Sequence, residues 1–232
     1  MSRDALHREG RHGTETAGCT IEGMVLGPFE TNSYLVYPEG FAGQDRPCWI
    51  VDPSFGPEPL IERAKELGVK PAAIVLTHAH ADHIAGVDEV LRAFPSLPVL
   101  VHEAERDWLS DPLKNLSLLG GMPVTARGPT GTIAEGQELE VGGVKWRVLH
   151  TPGHSPGGIT LYHQPSATAI VGDTLFAGSI GRSDFPGSDP VVLERSIRDK
   201  LYRLPPETVI YPGHGPESTI GRERQTNPFV RG

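Results

Sequence analysis

The string THAHADH at 77–83 constrains this chain more than any other feature. Three histidines and an aspartate fall within 78–83, directly after the apolar run AAIVLT (72–77). The pattern recurs: His154 follows VKWRVLH (144–150), Asp173 ends ATAIVGD (167–173), and His214 follows TVIYP (208–212). Short apolar runs rich in Val and Ile read as strands, and continuous ones as strands covered on both faces. Four strands thus deliver His or Asp at their C-terminal ends, beside glycines that let backbone approach closely. The crevice beyond strand carboxyl ends is where α/β sheets bind ligands. A solvated polar turn accounts for THAHADH alone; it does not account for four matching strand ends.

The spacing has a chemical reading. His78 and His80, two apart in a tight turn, can face one point, while Asp82 and His83 at a helix start point past it toward a second. That gives His78, His80 and His154 for one ion and Asp82, His83 and His214 for another, with Asp173 able to bridge them. Imidazole and carboxylate without thiolate suit Zn, Fe or Mn rather than Cu(I) or an iron–sulfur cluster. Two divalent ions (about +4), two carboxylates and one hydroxide leave roughly +1 facing an anionic transition state.

The remaining chain organises around these strands. Residues 1–18 lack periodicity and are expected to form a disordered tail, with one domain over 19–232. Strands are expected at TIEGMVLG, SYLVY, CWIVD, PVLVH, QELEV and GITLYH, and helices over 57–68, 82–94, 103–109 and 189–204, with a short helix in the C-terminal tail. Residues 110–131 read as a long loop of the kind that forms lids. Strands mixed with helices and no linker point to one layered α/β domain.

Composition excludes several classes. A net charge of −8 lacks the footprint of a general nucleic-acid binder, no apolar run approaches the ~20 residues of a membrane span, and the N-terminus lacks the apolar stretch of a secretory signal. Cys19 and Cys48 are too few for a disulfide scaffold and form no metal-like pair; each is expected to be a buried, inert thiol. A cytoplasmic protein is the expectation.

HAHADH (78–83) resembles the HxHxDH signature of the metallo-β-lactamase fold superfamily, and TPGHSPG, VGDTLF and YPGHG are similar to its later ligand motifs in the same order. The resemblance spans about residues 20–228 and implies a four-layer αββα sandwich with a two-metal cleft at one edge. GPFETNSYLV (27–36), GSIGRSDFPGSD (178–189) and TIGRERQTNPF (219–229) are similar to glyoxalase II-like hydrolases, especially short bacterial forms. That implies a metal-bridging hydroxide attacking a thioester such as an S-acylglutathione, with Asp82 and Asp173 as ligands that also serve the chemistry. Arg182 matches a basic position near substrate, unless Asp184 or Asp189 ties it up. The chain ends soon after His214, where full glyoxalase II enzymes carry a helical domain that helps hold glutathione, so thioester chemistry is better supported than glutathione specificity.

Rival expectations are a mononuclear-iron persulfide dioxygenase using His78, His154 and Asp173, and a non-catalytic binding module. A β-lactamase in the strict sense is disfavoured because signal peptide and Cys ligand are missing. Elsewhere, His150 is a candidate orienting partner for the His154 loop, His102 and His163 read as edge histidines, Tyr211 as core, and Arg222 and Arg224 as a solvated helix face.

Overall fold

The strands separate into two sheets. In a computed structural model that describes residues 12–16 (backbone only), 18–41 and 45–232, the first sheet runs in chain order. It comprises β1 (His12–Thr16), β2 (Cys19–Leu26), β3 (Thr31–Pro38), β4 (Arg46–Val51), β5 (Val69–Val75), β6 (Val99–His102) and β7 (Gly131–Ile133). Pairing is antiparallel from β1 to β4 and parallel from β4 to β7. The parallel half needs crossovers, which contain α1 (Glu58–Glu66), α2 (Ala81–Ile84) and α3 (Val87–Ala93). The second half of the chain gives β8 (Glu138–Val141), β9 (Val144–His150), β10 (Ile159–His163) and β11 (Thr168–Gly172). A small hairpin of β12 (Leu175–Phe176) and β13 (Ser179–Ile180) and helix α4 (Pro190–Asp199) follow, then β14 (Val209–Pro212), β15 (Ser218–Thr219) and α5 (Ile220–Thr226). The second sheet is ordered β15-β14-β11-β10-β9-β8.

Period-two alternation turns these sheets into four layers. Trp49 and Val51 of β4 and Ala73 and Val75 of β5 face the second sheet, where they meet Trp146, Val148, Leu161 and Ile170. Their neighbours Cys48, Ile50 and Ile74 face the opposite way, onto Leu60 and Ala64 of α1 and Val87 and Val90 of α3. On the second sheet Ala169, Val171 and Ile210 turn outward onto Leu193 and Ile197 of α4 and Ile220 of α5. The result is helix, sheet, sheet, helix in one α/β domain, as expected. Both cysteines are buried and unbridged, and burial pushes each thiol up to about 12. No helix among the described residues is long and apolar enough to cross a membrane.

Several local expectations change. The helix expected over 82–94 is two pieces, because Gly86 donates its N–H to the Pro53 carbonyl at 2.9 Å instead of continuing the first piece. A Cβ at Gly86 would stand 2.3 Å from the Ser54 carbonyl oxygen, so glycine lets the chain pass there. The helix expected at 103–109 is only a 3-10 turn, Glu103–Glu105. That expected over 189–204 ends at Asp199 and is followed by a 3-10 turn; Asp189 caps its start by accepting from Val191 and Val192. Within the segment expected as a tail, 12–16 pairs with β2 as a strand; residues 1–11 and 17 lie outside the described residues.

Leu161, fully buried between the sheets, tests this packing. Leu161→Ala is expected to lower the unfolding free energy by about 2–5 kcal/mol, read from the denaturant midpoint at unchanged slope.

Candidate metal centre

The seven side chains singled out by the strand-end pattern meet at one edge of the sandwich. Atoms of His78, His80 and His154 that could bind an ion lie within 4.8 Å of one another, as do those of Asp82, His83 and His214, and of His78, His83 and Asp173. His80 Nδ1 lies 2.8 Å from His154 Nε2. His214 Nε2 lies 3.1 Å from Asp82 Oδ2. Asp173 spans both triads: Oδ1 is 3.5 Å from His83 Nε2, and Oδ2 is 3.5 Å from both His154 Nε2 and His214 Nε2. His78 Nε2, His80 Nε2, His83 Nε2 and Asp173 Oδ1 are buried and lack a hydrogen-bond partner among the described residues. A buried polar atom without a partner costs about 1–3 kcal/mol, and three of these residues, His78, His83 and Asp173, form one of the triads, which fits a divalent cation in that space.

A supporting shell fixes these groups. Asp52, at the end of β4 with φ 48°, accepts from the Thr77 amide at 2.7 Å and the Thr77 hydroxyl at 2.5 Å, and pairs with His83 Nδ1 at 3.0 Å. Thr77 Oγ1 in turn lies 3.2 Å from His78 Nδ1, so one carboxylate orients two imidazoles. Glu105 is completely buried and accepts from the amides of Ala79 at 2.5 Å and Gly157 at 2.7 Å, tying the HAHADH turn to the His154 loop; burial raises its pKa. The TNS of β3 holds the third side: Thr31 donates to Asp82 at 2.9 Å, and Asn32 Nδ2 donates to the carbonyls of Pro212 and Gly215 around His214. His154 Nδ1 lies 2.7 Å from the Arg182 carbonyl and His214 Nδ1 3.0 Å from that of Phe29. Gly213 is obligatory here, because a Cβ would stand 2.0 Å from Asp173 Oδ1.

Sequence reasoning missed Asp52, Glu105 and Thr31 as parts of the site. Asp52 carried a usable signal, since CWIVD ends on a carboxylate as AIVGD does. Glu105, inside an unremarkable acidic stretch, carried none.

Electrostatics splits the cluster into two halves. Burial holds His78 and His154 below the usual imidazole range and takes His80 to about 3, helped by neighbouring imidazoles. Burial also opposes charge on His83 and His214, but carboxylates outweigh it: His83 is raised well above its usual value by Asp82, Asp173 and Asp52, and His214 to about 10 by Asp173 and Asp82. In return, although burial favours the neutral acid, Asp82 falls to about 2 and Asp173 well below its usual range.

The centre forms the floor of a cleft of about 650 Å³. Its lining includes Phe29 and Phe55, Phe176 beside His214, Phe185 beside His80 and His154, Ile180, and Leu116, Leu119 and Met122 from the long 110–131 segment. Arg182 is at the cleft, bound by Asp184 through two contacts of 3.0 and 2.9 Å and stacked 4.1 Å from the Phe185 ring centroid. Outside it, His150 Nε2 contacts the Pro156 carbonyl at 2.9 Å in the His154 loop, and its ring stacks on His102. His163 contacts Ser166 and Trp146, and Tyr211 is buried edge-on to Tyr34.

The family model of the metallo-beta-lactamase superfamily matches residues 26–214, and the chain belongs to that superfamily. It is 41% identical to the probable metallo-hydrolase YqgX of Bacillus subtilis over 90% of this chain and 96% of that one. It is 33% identical to the hydroxyacylglutathione hydrolase GloC of Haemophilus influenzae, over 90% and 97%. Among solved structures, BLEG-1, titled a B3 metallo-beta-lactamase, superposes with a TM-score of 0.84 at 42% identity, covering 91% of this chain and all of that one. TTHA1623, in a di-iron-bound form, superposes with a TM-score of 0.78 at 38% identity, over 90% and 99%.

Two outcomes test the centre. Asp52→Ala is expected to weaken metal binding about 10–100-fold, read by competition with a chromophoric chelator, while the far-UV spectrum stays unchanged. Metal uptake is also expected to carry a pH signature. An ion at His78, His80 and His154 meets imidazoles that burial holds below the usual range, so affinity there depends little on pH above the ordinary imidazole value of about 6.5. At Asp82, His83 and His214 an ion must displace protons from the two raised histidines. Affinity there rises with pH through the neutral range, His214 holding its own proton up to about 10. Calorimetry in buffers of differing ionisation enthalpy counts the released protons.

Proposed function

We propose that this protein is a metal-dependent hydrolase of thioesters. The observation that carries the reading is the convergence of two ligand triads, joined by Asp173, at the floor of an apolar cleft. His78, His80 and His154 would hold one divalent ion, Asp82, His83 and His214 a second, with Asp173 shared; Zn, Fe or Mn all accept this donor set. When bound, such ions supply an acidified water as nucleophile, with a pKa lowered from 15.7 toward about 7, and polarise a carbonyl oxygen.

The chain's own residues define the rest of the chemistry. Asp82 and Asp173 are the carboxyl groups lining the cleft among the described residues, and as ligands of the ions both would stay ionised and the histidines unprotonated. Neither offers a proton to a leaving group. The reaction therefore needs a leaving group that departs unaided, and a thiolate does, since its conjugate acid has a pKa near 8.5. An amine does not. Thr31 fixes the Asp82 carboxylate at Oδ2, leaving the other oxygen to orient the nucleophile. The phenylalanines at the walls exclude bulk water and so strengthen each electrostatic contact. The similarity to a hydroxyacylglutathione hydrolase supports the same bond type.

A complete second triad is the observation that favours this reading over a mononuclear persulfide dioxygenase. Elemental analysis giving near two metals per chain agrees with it; near one iron, with oxygen uptake on a persulfide, replaces it. Asp173→Ala is expected to lower thioester turnover at least 100-fold and to lose metal. Near-wild-type turnover at full metal content overturns the shared role of Asp173. A β-lactam substrate, whose leaving nitrogen calls for protonation, is expected to turn over more slowly than a thioester in the same assay.

A further inference from the structure

We infer that the cleft is built for an uncharged, apolar thioester and discriminates against thiols that carry carboxylates, glutathione among them. The inference rests on the thioester reading and adds the substrate class.

A charged thiol needs counter-charges on the walls, and the cleft has already spent the ones it holds. Arg182 is the one lysine or arginine lining the cleft among the described residues. Its guanidinium is engaged twice by Asp184 and sits over the Phe185 ring, 4.1 Å from its centroid, so the pair presents no net charge. The polar wall groups are consumed internally as well. Asn115 Nδ2 donates to the carbonyls of Trp108 and Val124, and its oxygen accepts from the amide and hydroxyl of Ser117. The Ser117 hydroxyl also accepts from the Val124 amide at 2.8 Å. Ions held at the floor by the two triads would confine cation charge there, beside the reacting carbonyl. A carboxylate moved from water onto these walls loses hydration and gains no partner.

The same hydrogen bonds build the apolar wall. Between Asn115 and Ser117 the backbone places Leu116 at φ 68°, a conformation unfavourable for a branched residue. Leu116 nonetheless lines the cleft beside Leu119 and Met122, which are 61% and 49% exposed. Strain held in place by a buried polar network, and large apolar groups left uncovered, both occur where a ligand is expected to supply the missing contacts.

The test compares two non-hydrolysable thioethers bearing the same hexyl chain, S-hexyl-N-acetylcysteamine and S-hexylglutathione, by calorimetry on the metal-containing protein. The neutral thioether is expected to bind at least fivefold more tightly; a smaller gap, or the reverse order, overturns the inference. Leu119→Asp, a change at an exposed position, is expected to weaken the neutral ligand at least threefold, and an unchanged affinity overturns the assignment of its place. Asp184→Ala, which releases Arg182, is expected to narrow the gap between the ligands, whereas an unaltered gap removes the paired guanidinium from the argument and overturns it. Turnover of the matching hexanoyl thioesters reports separately on the hydrolase reading. Preference for the neutral thioether without turnover leaves the inference standing and removes that reading; turnover with the opposite preference does the converse.

Discussion

The cost of burying imidazole and carboxylate groups without water dominates this fold. Five histidines and two aspartates share one small volume, and four of their polar atoms have no protein partner. The protein reduces this cost in part by internal proton sharing: His83 and His214 take charge against Asp82 and Asp173, while His78, His80 and His154 stay neutral. That arrangement balances charge but leaves lone pairs unused, and divalent cations are the chemical species that use them. Metal binding and stability are therefore linked in this domain, because a ligand that binds the folded state alone stabilises it by mass action.

Such a centre must be held by more than its own members. The two sheets each contribute ligand-bearing strand ends, so any sliding between sheets would open the site. The interlayer core of Trp49, Trp146 and Leu161 resists sliding through packing. Hydrogen bonds that cross from one sheet to the other resist it by direction. Asn32 and Tyr34 of β3 hold the Pro212 carbonyl at 2.9 and 2.6 Å, and Glu105 clasps the loops that carry His80 and His154. A neutral substitute at Glu105 would be easier to desolvate, yet a carboxylate offers two acceptors aimed at two separate amides. Geometry prevails over desolvation there.

The sequence made the layered α/β fold and the ligand convergence legible because both rest on strong periodic signals. Short apolar runs bounded by turn residues marked the strands, and histidines at strand ends marked the crevice. What escaped was whatever depends on long-range geometry. Gly86 reads locally as a tolerated helix residue, and only its packing against Ser54 shows why the helix divides there. Asp52 reads only as the last residue of the CWIVD strand until Thr77 and His83 are seen around it. The pairing of 12–16 with β2 could not be read from a stretch with no hydrophobic pattern, since its hydrogen bonds are backbone ones that side-chain chemistry does not encode. Arg182 shows the same limit: its bidentate bond to Asp184, two residues on, was one of two readings that local sequence left open.

Taken together, the charges and the walls divide the labour of the cleft. On the proposed reading, bound cations would concentrate positive potential at the floor, where an attacked carbonyl would develop negative charge, and apolar side chains line the cleft around it. Preorganised charge is most effective when surrounding dipoles need not reorient and water is excluded. A cleft lined with free lysines and arginines would bind an anionic substrate tightly in its ground state. That uniform binding does nothing for the chemical step. Phenylalanine and leucine walls would instead hold the proposed substrate without competing for its developing charge, leaving discrimination to shape and hydration. The division explains why the exposed leucine and methionine of the 116–122 turn stand next to a buried ionic cluster: each is the condition under which the other works.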